Sequence, residues 1–136
     1  MKLVLDTSFA MLWMSGGRKE RAVAEFDARY HAGQIEMHAP ESFVAETANV
    51  LWKQVRRRAR TLEESVAIFE NLRDLPIHLH RHRDLAVTGF DLALRRGISA
   101  YDAFYVALAL REVLPLFTAD KKLAAAVEDL LEVVTA

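Results

Sequence analysis

Four acidic residues share one kind of address in this sequence, and that address suits metal-assisted chemistry. Asp6 ends the apolar run Leu3-Val4-Leu5 and Asp120 follows the run Leu114 to Phe117. Glu46 lies near the start of a long helical pattern, at the margin of its apolar stripe. Asp102 stands in the first turn of Ser99 to Leu110, a segment apolar almost all the way round and therefore expected to be buried on most sides. In a parallel sheet all four points fall at the carboxyl edge of the strands, where ligands bind in open α/β folds. Each acid also has a local explanation. Asp6 and Asp120 are good N-caps, Asp102 complements a helix N-terminus, and Glu46 suits a rim. Brought together, however, four carboxylates repel one another, and a hard divalent cation relieves that conflict. Oxygen donors without thiolates favour Mg²⁺ or Mn²⁺ over Zn²⁺. Such a site suits phosphodiester hydrolysis. Ser8 and Thr118 stand beside the acids as auxiliary hydroxyls, and Thr7 is assigned to turn and cap chemistry.

The elements that must position these groups follow from periodicity. Leu3-Leu5, Ile35-His38, Pro76-Leu79 and Leu114-Phe117 read as strands, and Glu132-Thr135 as a final edge strand. Between them, helical patterns cover 9–14, 18–32, 40–58, 61–73, 83–96, 99–110 and 121–131. Pro40 is placed in the first turn of its helix, Thr61 to Glu64 form a capping box, and Gly97 stops a helix. Val66, Phe69 and Leu72 are assigned to the inner face of the fourth helix. Alternating strands and helices over the whole length predict a single α/β domain spanning 1–136. It is a three-layer sandwich, with a central parallel sheet of four or five strands flanked by helices.

The chain's 136 residues, 52% of them hydrophobic, suffice for a substantial core, and the net charge of −1 makes any nucleic-acid footprint local. Absence of cysteine excludes disulfides, thiolate zinc sites and a cysteine nucleophile, and fits a cytoplasmic location. No apolar run is long enough to span a membrane. Five basic residues fall within Lys53 to Arg60, either an RNA contact or a solvated helix end. His78, His80 and His82 alternate around the third strand and are left outside the site. Trp13, Trp52, Phe104 and Tyr105 are assigned to packing. A phosphatase of the haloacid-dehalogenase type would need an acid where Ser8 stands, and no glycine-rich phosphate loop is present.

Four blocks together resemble the PIN-domain ribonucleases, most closely the VapC-type toxins of toxin–antitoxin pairs. They are Leu5-Asp6-Thr7-Ser8, Ala39-Pro40 leading to Glu46-Thr47-Ala48-Asn49-Val50-Leu51, Ser99 to Ala109, and Phe117 to Leu123. The resemblance implies a Mg²⁺- or Mn²⁺-dependent endoribonuclease that leaves 5′-phosphate and 3′-hydroxyl ends. It implies Asp6, Glu46, Asp102 and Asp120 as catalytic metal-binding acids, with Thr118 and Ser8 as polar neighbours. It further implies a homodimer and a cognate antitoxin that inserts a segment into the active-site groove. Some members carry a further acid just after the last aspartate; here Lys121 and Lys122 occupy that place. The competing expectation is a catalytically silent PIN-like domain that binds RNA or protein.

Overall fold

The computed structural model describes residues 1–136. Five strands, β1 (Lys2–Leu5), β2 (Glu36–Pro40), β3 (Ile77–His80), β4 (Leu116–Thr118) and β5 (Val133–Thr135), form one sheet in the order β3-β2-β1-β4-β5. Every pairing is parallel. Successive side chains of a strand point to opposite faces, and Leu3, Val4 and Leu5 of β1 are all fully buried, so both faces of the sheet's centre are covered. Seven helices do the covering: α1 (Thr7–Met14), α2 (Arg21–His31), α3 (Phe43–Arg56), α4 (Leu62–Arg73), α5 (His82–Arg96), α6 (Ala100–Glu112) and α7 (Lys121–Val127).

Helix α1 packs with α2, α3 and α4, whereas α6 lies against β1, β2 and β4 and carries α5 on its outer side. An aromatic cluster anchors the first group. Phe9 meets Phe26 and Phe117 at 5.2 and 5.4 Å between ring centres, and Trp13 meets Phe26 at 4.8 Å. On the other side, Gly89 lets α5 approach α6 closely, because a Cβ there would lie 2.3 Å from a ring carbon of Phe104.

The chain steps outward from β1 to β2 and β3, then returns across β1 to β4 and β5. Strand order therefore reverses between β1 and β4, and the carboxyl ends of those two strands border the topological switch point, where open parallel sheets bind ligands.

Several local expectations are corrected. Pro40 is the last residue of β2, where a missing N–H costs little, and α3 begins three residues later. Helix α2 begins at Arg21 rather than Arg18, and α7 ends at Val127 rather than Leu131. Val66 is exposed, and Ser65, donating to the Thr61 carbonyl at 2.9 Å, takes the buried place on α4. Trp52 is 59% exposed and contributes little to the core. No helix is long and apolar enough to cross a membrane.

Candidate active site

A cleft of about 560 Å³ opens at the carboxyl edge of the sheet, and Asp6, Glu46, Asp102 and Asp120 all line it. The residues following β1 and β4 bring Asp6 and Asp120 to the switch point. Helix α3, following β2, brings Glu46, and the first turn of α6 brings Asp102. Ser8 also lines the cleft; Thr118 is fully buried behind it.

Asp6 is the most constrained of the four, only 5% exposed. The N–H of Phe9 donates to its Oδ1 at 2.9 Å, so Asp6 is indeed the N-cap of α1. Ser8 Oγ donates to the same oxygen at 2.7 Å, and Thr118 Oγ1 donates to Oδ2 at 2.5 Å. These hydroxyls are positioned in turn by the N–H groups of Ala119 and Asp120, which donate to Ser8 Oγ at 2.9 Å and Thr118 Oγ1 at 3.0 Å. Ser8 and Thr118 thus join the end of β1 to the end of β4 through one carboxylate. Burial nevertheless outweighs these donors and pushes the Asp6 carboxyl up to about 6.

Asp120 caps α7, accepting at Oδ1 from the N–H groups of Lys122 and Leu123 at 3.0 and 3.1 Å. Glu46 Oε2 accepts from Tyr105 Oη at 2.6 Å and from Ser42 Oγ at 3.0 Å. Tyr105 Oη lies 3.1 Å from Thr7 Oγ1; with the tyrosine proton directed at Glu46, the threonine is the donor in that contact. Burial raises the carboxyls of both Glu46 and Asp102 above the usual range. Burial and the neighbouring Glu46 together raise the Tyr105 hydroxyl, keeping it a protonated donor.

Like-charge repulsion radiates from one residue. Asp102 raises the carboxyls of Asp6 and Glu46, and is itself raised by Asp120. The donor set is oxygen-only and anionic, which fits a hard divalent ion. Its present arrangement is open: no three acids are gathered closely enough to hold one ion between them.

Two participants escaped sequence reasoning. Tyr105, assigned to packing, is buried but its hydroxyl holds Glu46. Its apolar neighbours on α6 disguised it, and only its helical offset of one turn from Asp102 hinted at the cleft. His82, set aside with the other histidines, does not line the cleft but braces a residue that does. Its Nε2 accepts the Ser42 N–H at 3.1 Å, bracing the residue that donates to Glu46. His78 and His80 stay outside the cleft. His80 Nε2 and His38 Nδ1 are 2.9 Å apart, and His38 Nε2 lies 2.9 Å from Glu36 on the β2–β3 side of the sheet.

Tyr105→Phe is expected to cost about 2 kcal/mol of unfolding free energy at pH 8, as the ionised Glu46 loses a buried donor. Urea titration reads this. Because Glu46 is then held above its ordinary value, the deficit shrinks as pH falls and the carboxyl protonates.

Comparison with known proteins now adds to this geometry. The family model for the PIN domain matches residues 3–129. The chain is 35% identical over 127 residues to Ribonuclease VapC3 of Pyrobaculum aerophilum, covering 91% of this chain and 93% of that protein. It is 32% identical over 125 residues to Ribonuclease VapC3 of Mycobacterium tuberculosis, covering 92% and 87%. Among solved structures, PAE2754 from Pyrobaculum aerophilum superposes with a TM-score of 0.63 at 21% identity, over 93% of this chain and 87% of that one. VapBC2 from Rickettsia felis, bound to a DNA fragment from their promoter, gives a TM-score of 0.63 at 12% identity, over 99% and 98%.

Proposed function

The chain belongs to the PIN-domain family as a VapC-like member, and from that premise we propose that it is a Mg²⁺- or Mn²⁺-dependent endoribonuclease, the toxin of a toxin–antitoxin pair. One observation carries the chemistry: four acids distant in sequence line a single cleft at the switch point of the sheet. Asp6, Glu46, Asp102 and Asp120 would hold the ion. When bound, it lowers the pKa of water and neutralises charge on phosphate oxygens.

The chain's own residues make that possible. Ser8, Thr118 and the Phe9 N–H fix both oxygens of Asp6, so no rotamer search precedes ligation. Tyr105 and Ser42 hold one oxygen of Glu46 and leave the other for the cleft. Asp120, anchored through Oδ1, likewise keeps Oδ2. In the proposed hydrolysis, water oxygen bonds to phosphorus in line with the departing 3′-oxygen. The attacking water gives up a proton to solvent, the P–O3′ bond breaks, and the departing 3′-oxygen takes a proton from solvent, leaving a 3′-hydroxyl and a 5′-phosphate.

A cognate antitoxin inserting a segment into this groove is part of the same reading, supported by the VapC names of the relatives. So is a homodimer. Its support is the outward face of α5, where Val87, Phe90 and Leu94 are exposed opposite the buried Leu85, Gly89 and Leu92. A helix apolar on both faces calls for a second covering surface.

The purified chain is expected to cleave single-stranded RNA in Mn²⁺ or Mg²⁺ and to leave 5′-phosphate ends, readable by selective ligation. Asp102→Asn is expected to abolish cleavage. Full activity in that variant, with its fold intact by circular dichroism, overturns the proposal.

A further inference from the structure

The cleft-lining face of α3 does not end at the cleft. Ser42, Ala45, Glu46, Asn49 and Val50 line the cavity from this segment. At 100° per residue, Lys53 and Arg57 lie within about 20° of the direction of Glu46, about 10 and 16 Å further along the helix. Both are exposed. Arg56 and Arg58 flank them, and Arg56 sits over the Trp52 ring at 5.8 Å. None of these four cations has a carboxylate partner. Arg21, Arg73, Arg81, Arg95, Arg96 and Arg111 all do.

The end of α3 carries a second sign of charge retained at a cost. Arg58 closes the helix in the left-handed conformation with φ 56°, and the N–H of Ala59 returns to the Gln54 carbonyl at 2.9 Å. Glycine fills that position at lower cost, by roughly 1 kcal/mol. A cation stands there instead, beside three others. On α7, the exposed Lys121 and Lys122 directly follow Asp120. Exposed positive charge thus follows two of the cleft's acids along the chain, Glu46 and Asp120.

We propose that the face of α3 bearing Lys53 and Arg57 is the track along which the phosphate backbone of single-stranded RNA approaches the acidic cleft. This rests on the nuclease reading and extends it to where the substrate lies. Lysine and arginine one helical turn apart, on an exposed ridge, meet successive phosphates without reading bases. The track therefore contributes affinity common to all RNA sequences. It also offsets the repulsion an anionic strand meets on entering a cleft of four carboxylates.

The test uses the full chain carrying Asp102→Asn, in Mg²⁺, with a fluorescein-labelled 12-nucleotide single-stranded RNA read by anisotropy across a salt series. Each lost contact to a single strand lowers the slope of log K against log salt by about 0.7. Adding Lys53→Gln and Arg57→Gln is expected to lower it by about 1.4 and to weaken Kd about 25-fold at 0.1 M salt. Lys53→Arg with Arg57→Lys is expected to restore most of both. In the otherwise native chain, the Gln pair raises KM for cleavage and leaves kcat unchanged, with the melting temperature showing that both variants fold. Unaltered Kd and salt slope in the Gln pair overturn the track. So does poly-glutamate binding that depends on these residues in a chain that ignores RNA, which assigns the face to an acidic protein. Absence of cleavage by the native chain, with the RNA-binding slope still dependent on Lys53 and Arg57, removes the nuclease reading and leaves the track standing.

Discussion

Asp6→Asn is expected to abolish RNA cleavage and, in the same molecule, to raise the melting temperature of the metal-free protein at pH 8. The two effects share one cause. Asp6 is buried among hydroxyl and N–H donors, yet its carboxyl is pushed up to about 6 from an ordinary value of 3.8. The folded chain therefore binds the Asp6 proton more tightly than the unfolded chain. The associated stability is complete below about pH 4 and is lost as pH rises through 6. Two pH units correspond to about 3 kcal/mol at most. Asparagine is isosteric and uncharged at any pH: its oxygen keeps the Phe9 cap and the Ser8 contact, while its amide N–H replaces the acceptor of the Thr118 hydroxyl, so that contact survives only if Thr118 turns to accept. The variant's stability is expected to decline less steeply between pH 4 and 7 than the native protein's, the remaining decline coming from the raised carboxyls of Glu46 and Asp102. At pH 8 the gain is about 2 kcal/mol, several degrees in melting temperature, by calorimetry. Under the proposed function cleavage falls on the order of 10³-fold, because one of the four charged groups that would hold the ion is neutralised. Under the proposed function, Asp6 is a liability of the fold kept for chemistry.

Added Mn²⁺ or Mg²⁺ is expected to have the next largest effect, and Asp102 is the residue that reveals it. Repulsion centred on Asp102 reaches Asp6 and Glu46, and Asp120 acts on Asp102. A cation bound only by the folded chain stabilises it by about 2.7 kcal/mol at 100 times its Kd. Differential scanning fluorimetry at pH 8 should show an upward shift with metal concentration. The shift should shrink below pH 6, where protons compete at Asp6. Asp102→Asn should start from a higher melting temperature than the native chain, because a carboxyl raised by burial, and further by Asp120, is neutralised, and should respond little to metal. A native chain indifferent to millimolar Mn²⁺ contradicts this.

The fold was legible in the sequence wherever burial dictated residue type. The run Leu3-Val4-Leu5, covered on both faces, and the nearly all-apolar α6 announced a parallel sheet with helices around it. Asp6 and Asp120 were legible because each follows a buried strand, Asp102 because it stands in the first turn of a buried helix, and Glu46 because it lies at the margin of an apolar stripe. Features that depend on tertiary placement were hidden. Pro40 suits the first turn of a helix as well as the end of a strand, and only pairing with β3 decides between them. Trp52 has the composition of a core residue, but α3 turns it toward solvent beside Arg56. Tyr105 sits among residues that truly are core; its function resides in one hydroxyl whose partners, Glu46 and Thr7, are 59 and 98 positions away. Helix α7 stops early because the chain must turn at Glu128 to Leu131 to lay β5 beside β4, a constraint no local pattern carries.

Direct titration of Mn²⁺, followed by the loss of its free-ion electron paramagnetic resonance signal, addresses the shared cation itself. Measured on the native chain and on Asp6→Asn, Glu46→Gln, Asp102→Asn and Asp120→Asn, it should show tight binding by the native protein. Each single substitution should weaken that same ion at least 10-fold. Native affinity in all four variants would mean that these carboxylates do not meet at one ion.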